Sequence, residues 1–361
     1  KKIRSACLAA GLLTCVAVVF WVAPGLQPPP TRIVLEEVPA GAIAHLGTDT
    51  SETDEVPEAK PIRPRTETPE PHHSPGALIE QVGPVEPSLI SANTNLSYAR
   101  RAGLHRTADP LHLTSSVALA IDARTHETLY AKNEQAILPV ASLTKLMMGM
   151  VLLDSGVAMN ARLTIEPEDV DLLRHSRSRL PVGSTIKRRH ALRLALMSSE
   201  NRAAHALARS HPGGLDDFVN AMNLKAKALG MAHTKFVDPT GLSNGNRAPA
   251  VDVVRLVEAA PKYPALRAYS TTKKWTLRVA DQTLRYLNSN RLVRVAGWPA
   301  RLQKTGYIVE AGFCTVLSTL VQRRDVILVL LDAGSVADRG RDATRLRNWL
   351  NRQFRAEGRG R

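Results

Sequence analysis

Three short motifs along the sequence supply hydroxyl and amine side chains that could act together. Ser142 and Lys145 lie three residues apart at the predicted start of a helix, so their side chains project from one face and can touch. A serine hydroxyl is a weak nucleophile until a neighbouring base takes its proton. Lys145 can be that base only if burial and a nearby positive charge lower its pKa, and Lys304 could supply the charge. The spacing therefore predicts Ser142 as nucleophile and Lys145 as general base.

The second motif is S-x-N at a predicted break between two helices, 57 residues after Ser142. Ser199 is predicted to relay a proton between the lysines and the leaving nitrogen. Asn201 is predicted to hold a substrate amide, because a carboxamide both donates and accepts hydrogen bonds.

The third motif, K-T-G, begins 105 residues after Ser199 and precedes a predicted strand. Lys304 is predicted to attract an anionic substrate, and Thr305 offers its hydroxyl to a carboxylate. Gly306 completes the motif, and Tyr307 follows it. The backbone N–H groups of Ser142 and Tyr307 are the predicted oxyanion donors. S-x-x-K and S-x-N arise readily by chance and K-T-G less often, so the prediction depends on the order of the motifs, their spacing and their predicted local structure.

The elements around the motifs predict an α/β sheet domain flanked by helices, with an inserted all-helical subdomain at about residues 160–268. Alternating and continuous apolar runs predict strands at residues 116–133 (two strands around a turn), 275–279, 308–319 and 326–332. Apolar residues at helical spacing predict helices at residues 142–153, 190–197, 201–209, 215–229 and 342–355.

The chain divides into an export segment, a linker and a folded domain. A basic head precedes an apolar run at residues 5–23, which predicts either a cleaved signal peptide or an inner-membrane anchor. Residues 24–87 hold 13 of the 23 prolines, and we predict a disordered linker over residues 24–110. The enzyme domain is predicted over residues 111–356, followed by a basic tail at 357–361 and no further domain. These features predict a periplasmic protein.

Charge and composition narrow the function classes. Residues 28–98 carry about −7 and residues 99–361 about +19, so nucleic acid has to be considered as a partner. Export argues against nucleic acid and favours an anionic cell-wall polymer or a phospholipid surface. The histidines are scattered without zinc-site spacing, so no metal or cofactor is predicted. Cys314 is predicted to be a core residue and residues 238–246 a structural turn.

Two arginines follow the last predicted strand. Either Arg339 or Arg341 could meet a substrate carboxylate, and the other is expected to be a solvated charge at the entry of the final helix. Arg339 is our predicted substrate contact.

Residues 111–356 resemble the D-alanyl-D-alanine carboxypeptidase/endopeptidase family of low-molecular-mass penicillin-binding proteins. The resemblance is carried by VASLTKLM at residues 140–147, MSSENRAA at 197–204, DPTGLS at 238–243 and QKTGY at 303–307. The S-S-E-N form and residues 288–293 are similar to the endopeptidase branch. This resemblance implies a β-lactamase/transpeptidase-like fold, acylation of the serine, inhibition by β-lactams, and hydrolysis of peptidoglycan peptide cross-links.

Three other functions are alternatives to endopeptidase activity. A D-alanyl-D-alanine carboxypeptidase shares the same motifs. A class A β-lactamase deacylates with a glutamate between the second and third motifs, and residues 202–303 contain no Glu-x-x-Leu-Asn. A non-catalytic cell-wall binding protein would tolerate the loss of Ser142 or Lys145, and both are present.

Overall fold

A computed structural model of the chain describes residues 96–359. Its strands are β1 (Val117–Asp122), β2 (Thr128–Lys132), β3 (Leu138–Pro139), β4 (Arg162–Thr164), β5 (Thr185–Lys187), β6 (Arg247–Ala248), β7 (Lys274–Val279), β8 (Gln282–Leu287), β9 (Ala300–Ile308), β10 (Gly312–Val321) and β11 (Arg324–Ala333). Its α-helices are α1 (Tyr98–Arg101), α2 (Thr144–Asp154), α3 (Arg188–Met197), α4 (Asn201–Arg209), α5 (Gly214–Ala228), α6 (Ala250–Ala259), α7 (Pro264–Ser270), α8 (Arg291–Arg294) and α9 (Val336–Arg359).

An antiparallel five-stranded sheet in the order β2-β1-β11-β10-β9 forms the centre of the domain. Two of its inner strands, β1 and β11, contain the continuous apolar runs VALAID and VILVLL. Both faces of these strands are buried, because helices cover both sides of the sheet. α9 packs on one face through Leu346, Leu350 and Phe354. The helices of the inserted subdomain and α6 share a core with the other face. The predicted α/β fold class is confirmed.

The helical subdomain is not purely helical. β4 and β5 form a two-stranded antiparallel sheet, and β3 pairs with β6 at the edge of the subdomain. These strands have two or three residues each, which is too short for an alternating pattern to reveal them. α2 lies at the centre of the subdomain and is buried along residues 144–152.

Two predicted elements after residue 300 are wrong in their bounds. The single strand predicted at residues 308–319 is the end of β9, a turn and β10, because Gly312 adopts a positive φ of 62° and reverses the chain there. The last helix begins at Val336 rather than at residue 342, with Ser335 accepting the N–H of Asp338 at the helix start. The β7–β8 hairpin adds a strand that was not predicted.

The folded domain begins before residue 111. α1 packs on the sheet domain, since Ala99 is 1% exposed and belongs to the core. The Tyr98 N–H donates to the Glu310 carbonyl at 2.9 Å, and Asn244 Nδ2 donates to the Tyr98 hydroxyl at 3.1 Å. The predicted linker boundary at residue 110 is therefore wrong. The sequence did not indicate α1, because a four-residue helix carries no periodic signal.

The export segment predicted at residues 1–23 and the linker up to residue 95 lie outside the described residues. Within residues 96–359, no helix has both the length and the apolar character needed to cross a bilayer.

We expect a chain that begins at residue 96 to keep the thermal stability of the full chain, and one that begins at residue 108 to lose part of it. The shorter chain lacks α1 and its buried contacts, so its unfolding free energy should fall by about 2 kcal/mol. In a domain of this size that loss lowers the unfolding midpoint by about 4–8 °C. Scanning calorimetry of the three chains measures the effect, and equal midpoints for the two shorter chains would contradict a role for α1.

Candidate active site

Ser142 lies in a 3₁₀ turn, Ala141–Leu143, that leads directly into α2. The turn is formed with Ala141 at a positive φ of 47°. Lys145 lies on the first turn of α2 and is fully buried, with its Nζ 3.0 Å from Ser142 Oγ. The structure therefore brings the first pair of predicted residues into direct contact.

The amine of Lys145 has two further partners that fix its orientation. Asn201 Oδ1 lies 2.7 Å from Nζ and the Thr240 carbonyl lies 2.6 Å from it. Both of these oxygens can only accept, so each takes one N–H of Lys145. A neutral amine has two N–H groups and one lone pair, and the remaining tetrahedral position faces Ser142 Oγ. The neutral form of Lys145 therefore points its lone pair at the serine hydroxyl.

Burial lowers the pKa of Lys145 from 10.5 to about 8, because desolvation disfavours the ammonium form. The carboxylates of Asp238, Glu200 and Asp171 oppose this shift of the pKa. Near neutral pH a fraction of the molecules thus carries Lys145 as a free amine. Burial thus supplies the lowered pKa that a lysine base requires, whereas the predicted contribution of a positive charge on Lys304 is not among the causes of the shift.

Ser199 and Lys304 form a second hydroxyl–amine pair across the same site. Ser199 begins the approach to α4 with a positive φ of 61°, a strained conformation for a serine, and Lys304 Nζ donates to its Oγ at 2.9 Å. Lys304 also donates to the Thr305 carbonyl at 2.7 Å. Burial, followed by the charges of Lys145 and Arg339, holds the pKa of Lys304 well below its usual range. The positive charge of Lys145 thus disfavours the charged form of Lys304.

Two glycines allow two backbone segments, the third motif and the turn at residues 238–246, to approach the serine. A Cβ at Gly306 would lie 2.8 Å from Ser142 N, and one at Gly241 would lie 2.0 Å from the Ala141 carbonyl oxygen. Both positions therefore need glycine, and Gly241 also has a positive φ of 80°. The close approach of β9 places Gly306 and its neighbour Tyr307 beside the N–H of Ser142.

A cleft of about 500 Å³ opens over these groups. Thr305 lines it and contacts Ser289, with their hydroxyls 2.7 Å apart. Tyr307 is 52% exposed at the mouth and stacks on Phe313 with ring centroids 4.2 Å apart. The residues that line the cleft are Ser142, Arg174, Ser176, Ser199, Asn201, Leu242, Ser289, Thr305, Gly306, Tyr307, Ile308, Val309, Phe313, Val336 and Arg339.

The two candidate arginines have different surroundings. Arg339 lines the cleft, is largely buried, and donates to the Cys314 carbonyl at 3.3 Å. Arg341 is exposed and pairs with Asp338 on the same helix. Of the two, Arg339 is the one that a substrate in the cleft can reach. Cys314 itself is buried and free, as predicted, and burial raises the pKa of its thiol to about 12.

Several groups at the site carried no recognisable signal of their own in the sequence. Ser176 Oγ accepts from Asn201 Nδ2 at 2.7 Å and so fixes the amide that holds Lys145. Asp238 accepts the N–H groups of Thr240, Gly241 and Ser243, which confirms the predicted turn and aims the Thr240 carbonyl at Lys145. The D-P-T-G pattern indicated the turn, but nothing in the sequence indicated its contact with the lysine.

An ion pair closes one end of the cleft. Arg174 lies on the loop before β5, and its Nη2 donates to Glu310 Oε1 at 2.9 Å. Arg174 Nε also donates to the Leu242 carbonyl at 3.1 Å. The turn between β9 and β10 is thereby tied to the helical subdomain beside the cleft.

Comparisons with known proteins agree with this geometry. A family model described as D-alanyl-D-alanine carboxypeptidase matches residues 104–335. A D-alanyl-D-alanine endopeptidase of Pseudomonas aeruginosa is 47% identical over 240 residues, which are 66% of this chain and 77% of that protein. A D-alanyl-D-alanine endopeptidase of Escherichia coli is 39% identical over 246 residues, 68% of this chain and 79% of that protein. The crystal structure of a Streptomyces DD-transpeptidase is similar with a TM-score of 0.62 at 27% identity, and covers 66% of this chain and 97% of its own.

Proposed function

The chain belongs to the D-alanyl-D-alanine carboxypeptidase family, and from this premise we propose that it is a serine D-alanyl-D-alanine endopeptidase that hydrolyses peptidoglycan cross-links. The observation that carries the proposal is the pairing of two hydroxyls with two buried lysines around one open cleft. Ser142 Oγ lies 3.0 Å from Lys145 Nζ, and Ser199 Oγ lies 2.9 Å from Lys304 Nζ. The branch follows from the endopeptidase relatives, which share more sequence identity with this chain than the carboxypeptidase relatives in the same comparison.

Acylation begins when neutral Lys145 takes the proton of Ser142. The serine oxygen attacks the carbonyl carbon of the scissile peptide bond, and the carbonyl oxygen becomes an oxyanion held by the N–H groups of Ser142 and Tyr307. The lone pair of Lys145 already faces the hydroxyl, so no reorientation of the amine is needed. Fixed donors of this kind contribute about 10²–10³-fold to the rate.

Collapse of the tetrahedral intermediate breaks the peptide bond and needs a proton for the leaving nitrogen. Ser199 relays to this nitrogen the proton that Lys145 took from Ser142, so that its own hydroxyl and the neutral Lys145 are both regenerated; its hydroxyl contacts Lys304 and lines the cleft beside Ser142. The product is an ester between the D-alanyl carbonyl and Ser142. Water then attacks the ester carbonyl and neutral Lys145 takes one proton of the water. Lys145 returns this proton to Ser142 Oγ as the ester bond breaks, and the peptide leaves with a new carboxyl group.

Substrate binding uses the polar groups that line the cleft. Asn201 has its Nδ2 on Ser176 and its Oδ1 on Lys145, so it is held rigidly beside the serine where a substrate amide would lie. Thr305 and Arg339 provide a hydroxyl and a guanidinium for the carboxylate next to the scissile bond. β-Lactams present a comparable amide and carboxylate, and they should acylate the same serine.

Purified enzyme incubated with cross-linked and uncross-linked muropeptides tests the proposed branch. Cleavage of dimers to monomers, without release of free D-alanine from pentapeptides, is the expected result in mass analysis of the products. Free D-alanine that appears faster than monomers would show a carboxypeptidase instead.

The acylation rate should rise with pH through about 8. Lys145 acts as a base only when neutral, and its pKa is lowered to about 8, so each pH unit below that value should reduce the rate about tenfold. Stopped-flow acylation by a chromogenic cephalosporin between pH 6 and 9.5 measures this limb. The thermal unfolding midpoint over the same range serves as the control for stability. A rate that is constant from pH 6 to 8 would contradict a lysine base of this pKa.

For the cellular location, we propose the periplasm. Support comes from the basic head and apolar run at residues 1–23, and from a substrate that lies in the cell wall. The run serves either as a cleaved signal peptide or as an inner-membrane anchor. Fractionation of cells followed by an alkaline wash of the membranes distinguishes the two, because only an anchored chain stays with the membrane, and a cytoplasmic chain would refute the proposal.

A further inference from the structure

A groove lined by arginines continues the active-site cleft along the first turns of α9. Its volume is about 540 Å³, and Val336 and Arg339 line both the groove and the cleft. Thr315 in the groove is paired across β9 and β10 with Thr305 in the cleft. Neighbouring strands lie about 4.8 Å apart, so the groove begins one strand away from the third motif. We call it the arginine groove; its charged lining residues are Arg291, Arg339, Arg341 and Arg345.

The arginine groove has a strong excess of positive charge. No aspartate or glutamate is among its lining residues. Arg341 pairs with Asp338, but Arg291 and Arg345 form no salt bridge with any residue in the described range 96–359. Unbalanced arginines along a concave surface attract and hold anionic groups, above all carboxylates and phosphates.

Two largely buried side chains in the groove have hydrogen-bond donors that no described residue accepts. Arg339 is 8% exposed, and the one hydrogen bond of its side chain to a described residue is the 3.3 Å contact with the Cys314 carbonyl. Asn290 is 4% exposed; its Oδ1 caps α8, while its Nδ2 has no partner among the described residues. A buried donor or charge without a partner costs free energy, and an anionic ligand in the groove would supply the missing acceptors.

The length of the groove suits a short peptide. Its lining residues on α9 run from Val336 to Asn348, a rise of about 18 Å. An extended tetrapeptide spans about 13 Å. A D-alanyl cross-link continues beyond the scissile amide into a second stem peptide that carries further carboxylates, whereas a terminal D-alanine ends there. The two candidate substrates therefore differ in whether they can reach the groove.

We propose that the arginine groove binds the carboxylates of the second stem peptide of a peptidoglycan cross-link, with Arg291 and Arg345 as specificity-determining residues. The inference rests on the proposed function and names the part of the substrate that lies outside the cleft. In the bound state Arg339 contacts the carboxylate beside the scissile bond, and the leaving stem extends along α9 from there.

Binding measurements with Ser142→Ala as the parent separate affinity from cleavage. The probes are a cross-linked disaccharide-tetrapeptide dimer and the corresponding monomer, titrated by calorimetry. Adding Arg291→Gln and Arg345→Gln should weaken dimer binding about tenfold and monomer binding less than about twofold. Because Arg345 also donates to the His112 carbonyl, Arg291→Gln alone serves as a second variant, with an expected loss of about threefold.

A matched control is Arg278→Gln with Arg285→Gln on the β7–β8 hairpin, which changes the net charge equally but lies outside the groove. It should bind both probes like the parent. Dimer binding that is unchanged in both groove variants would overturn the proposal. So would an equal loss for dimer and monomer, or an equal loss in the control. The proposed function is tested separately, by cleavage with the enzyme that keeps Ser142. If that enzyme does not cleave cross-links, the binding comparison between dimer and monomer can still be interpreted.

Discussion

Replacing Ser142 by alanine should abolish β-lactam acylation and peptide cleavage, with a loss of at least about 10⁴-fold. Its hydroxyl is the one that faces the lone pair of a buried lysine, at 3.0 Å, at the bottom of the cleft. Intact mass spectrometry after penicillin treatment should show a single adduct on the unchanged protein, mapped to Ser142, and none on the variant.

Ser198→Ala is the matched control, since it removes a neighbouring serine hydroxyl that donates to the Leu194 carbonyl at 2.8 Å and does not line the cleft. This variant should form the adduct at the normal rate. An adduct on Ser199, or no adduct on folded unchanged protein, would show that the nucleophile is wrongly assigned.

Parts of the central sheet, namely the hairpin of β1 and β2 and the strand β11, could be predicted from local sequence patterns. The first two strands lie within eighteen residues and flank a polar turn, and the structure has them as β1 and β2 around residues 123–127. The strand predicted at residues 326–332 lies within β11. Its residues are apolar throughout because they pack alternately against the cores on the two faces of the sheet. Local pattern is sufficient when both faces of a strand are apolar.

Other elements depend on contacts that no local pattern contains. α1 is held by single contacts to distant residues, such as the bond from Tyr98 to Glu310, and its four residues are too few for a periodic pattern. β4 and β5 have three residues each and are defined by pairing with each other. Their stability comes from tertiary contacts that are far apart in sequence, so the sequence alone could not indicate them.

The candidate site was predictable in its parts and not in its connections. The motif order identified both lysines and both serines, and the structure places them in two pairs. The second acceptor of Lys145 is a backbone carbonyl, from Thr240, and backbone atoms have no residue type to recognise. Ser176 acts through Asn201 from 25 residues away and belongs to no motif.

Lys145→Arg should reduce the acylation rate at least about 10²-fold, the low end of the range for general base catalysis. Arginine keeps the positive charge but does not lose its proton near neutral pH, so it cannot accept the proton of Ser142. The charge that Lys145 presents to Lys304 would persist, and a role limited to charge would therefore survive the substitution. Single-turnover acylation by a chromogenic cephalosporin measures the rate.

Lys132→Arg is the matched control for placing a larger cation at a buried lysine. Lys132 is also buried, and its Nζ pairs with Asp109 Oδ2 at 2.8 Å, away from the cleft. Its substitution should leave acylation near the unchanged rate, with any strain appearing in the thermal unfolding midpoint. Lys145→Arg is expected to behave in the opposite way, because it retains the bonds to Asn201 and Thr240 that hold the helix start but removes the lone pair that faces the serine. Near-normal acylation by Lys145→Arg would refute the base role and leave Lys304, acting through Ser199, as the other amine that could activate the nucleophile.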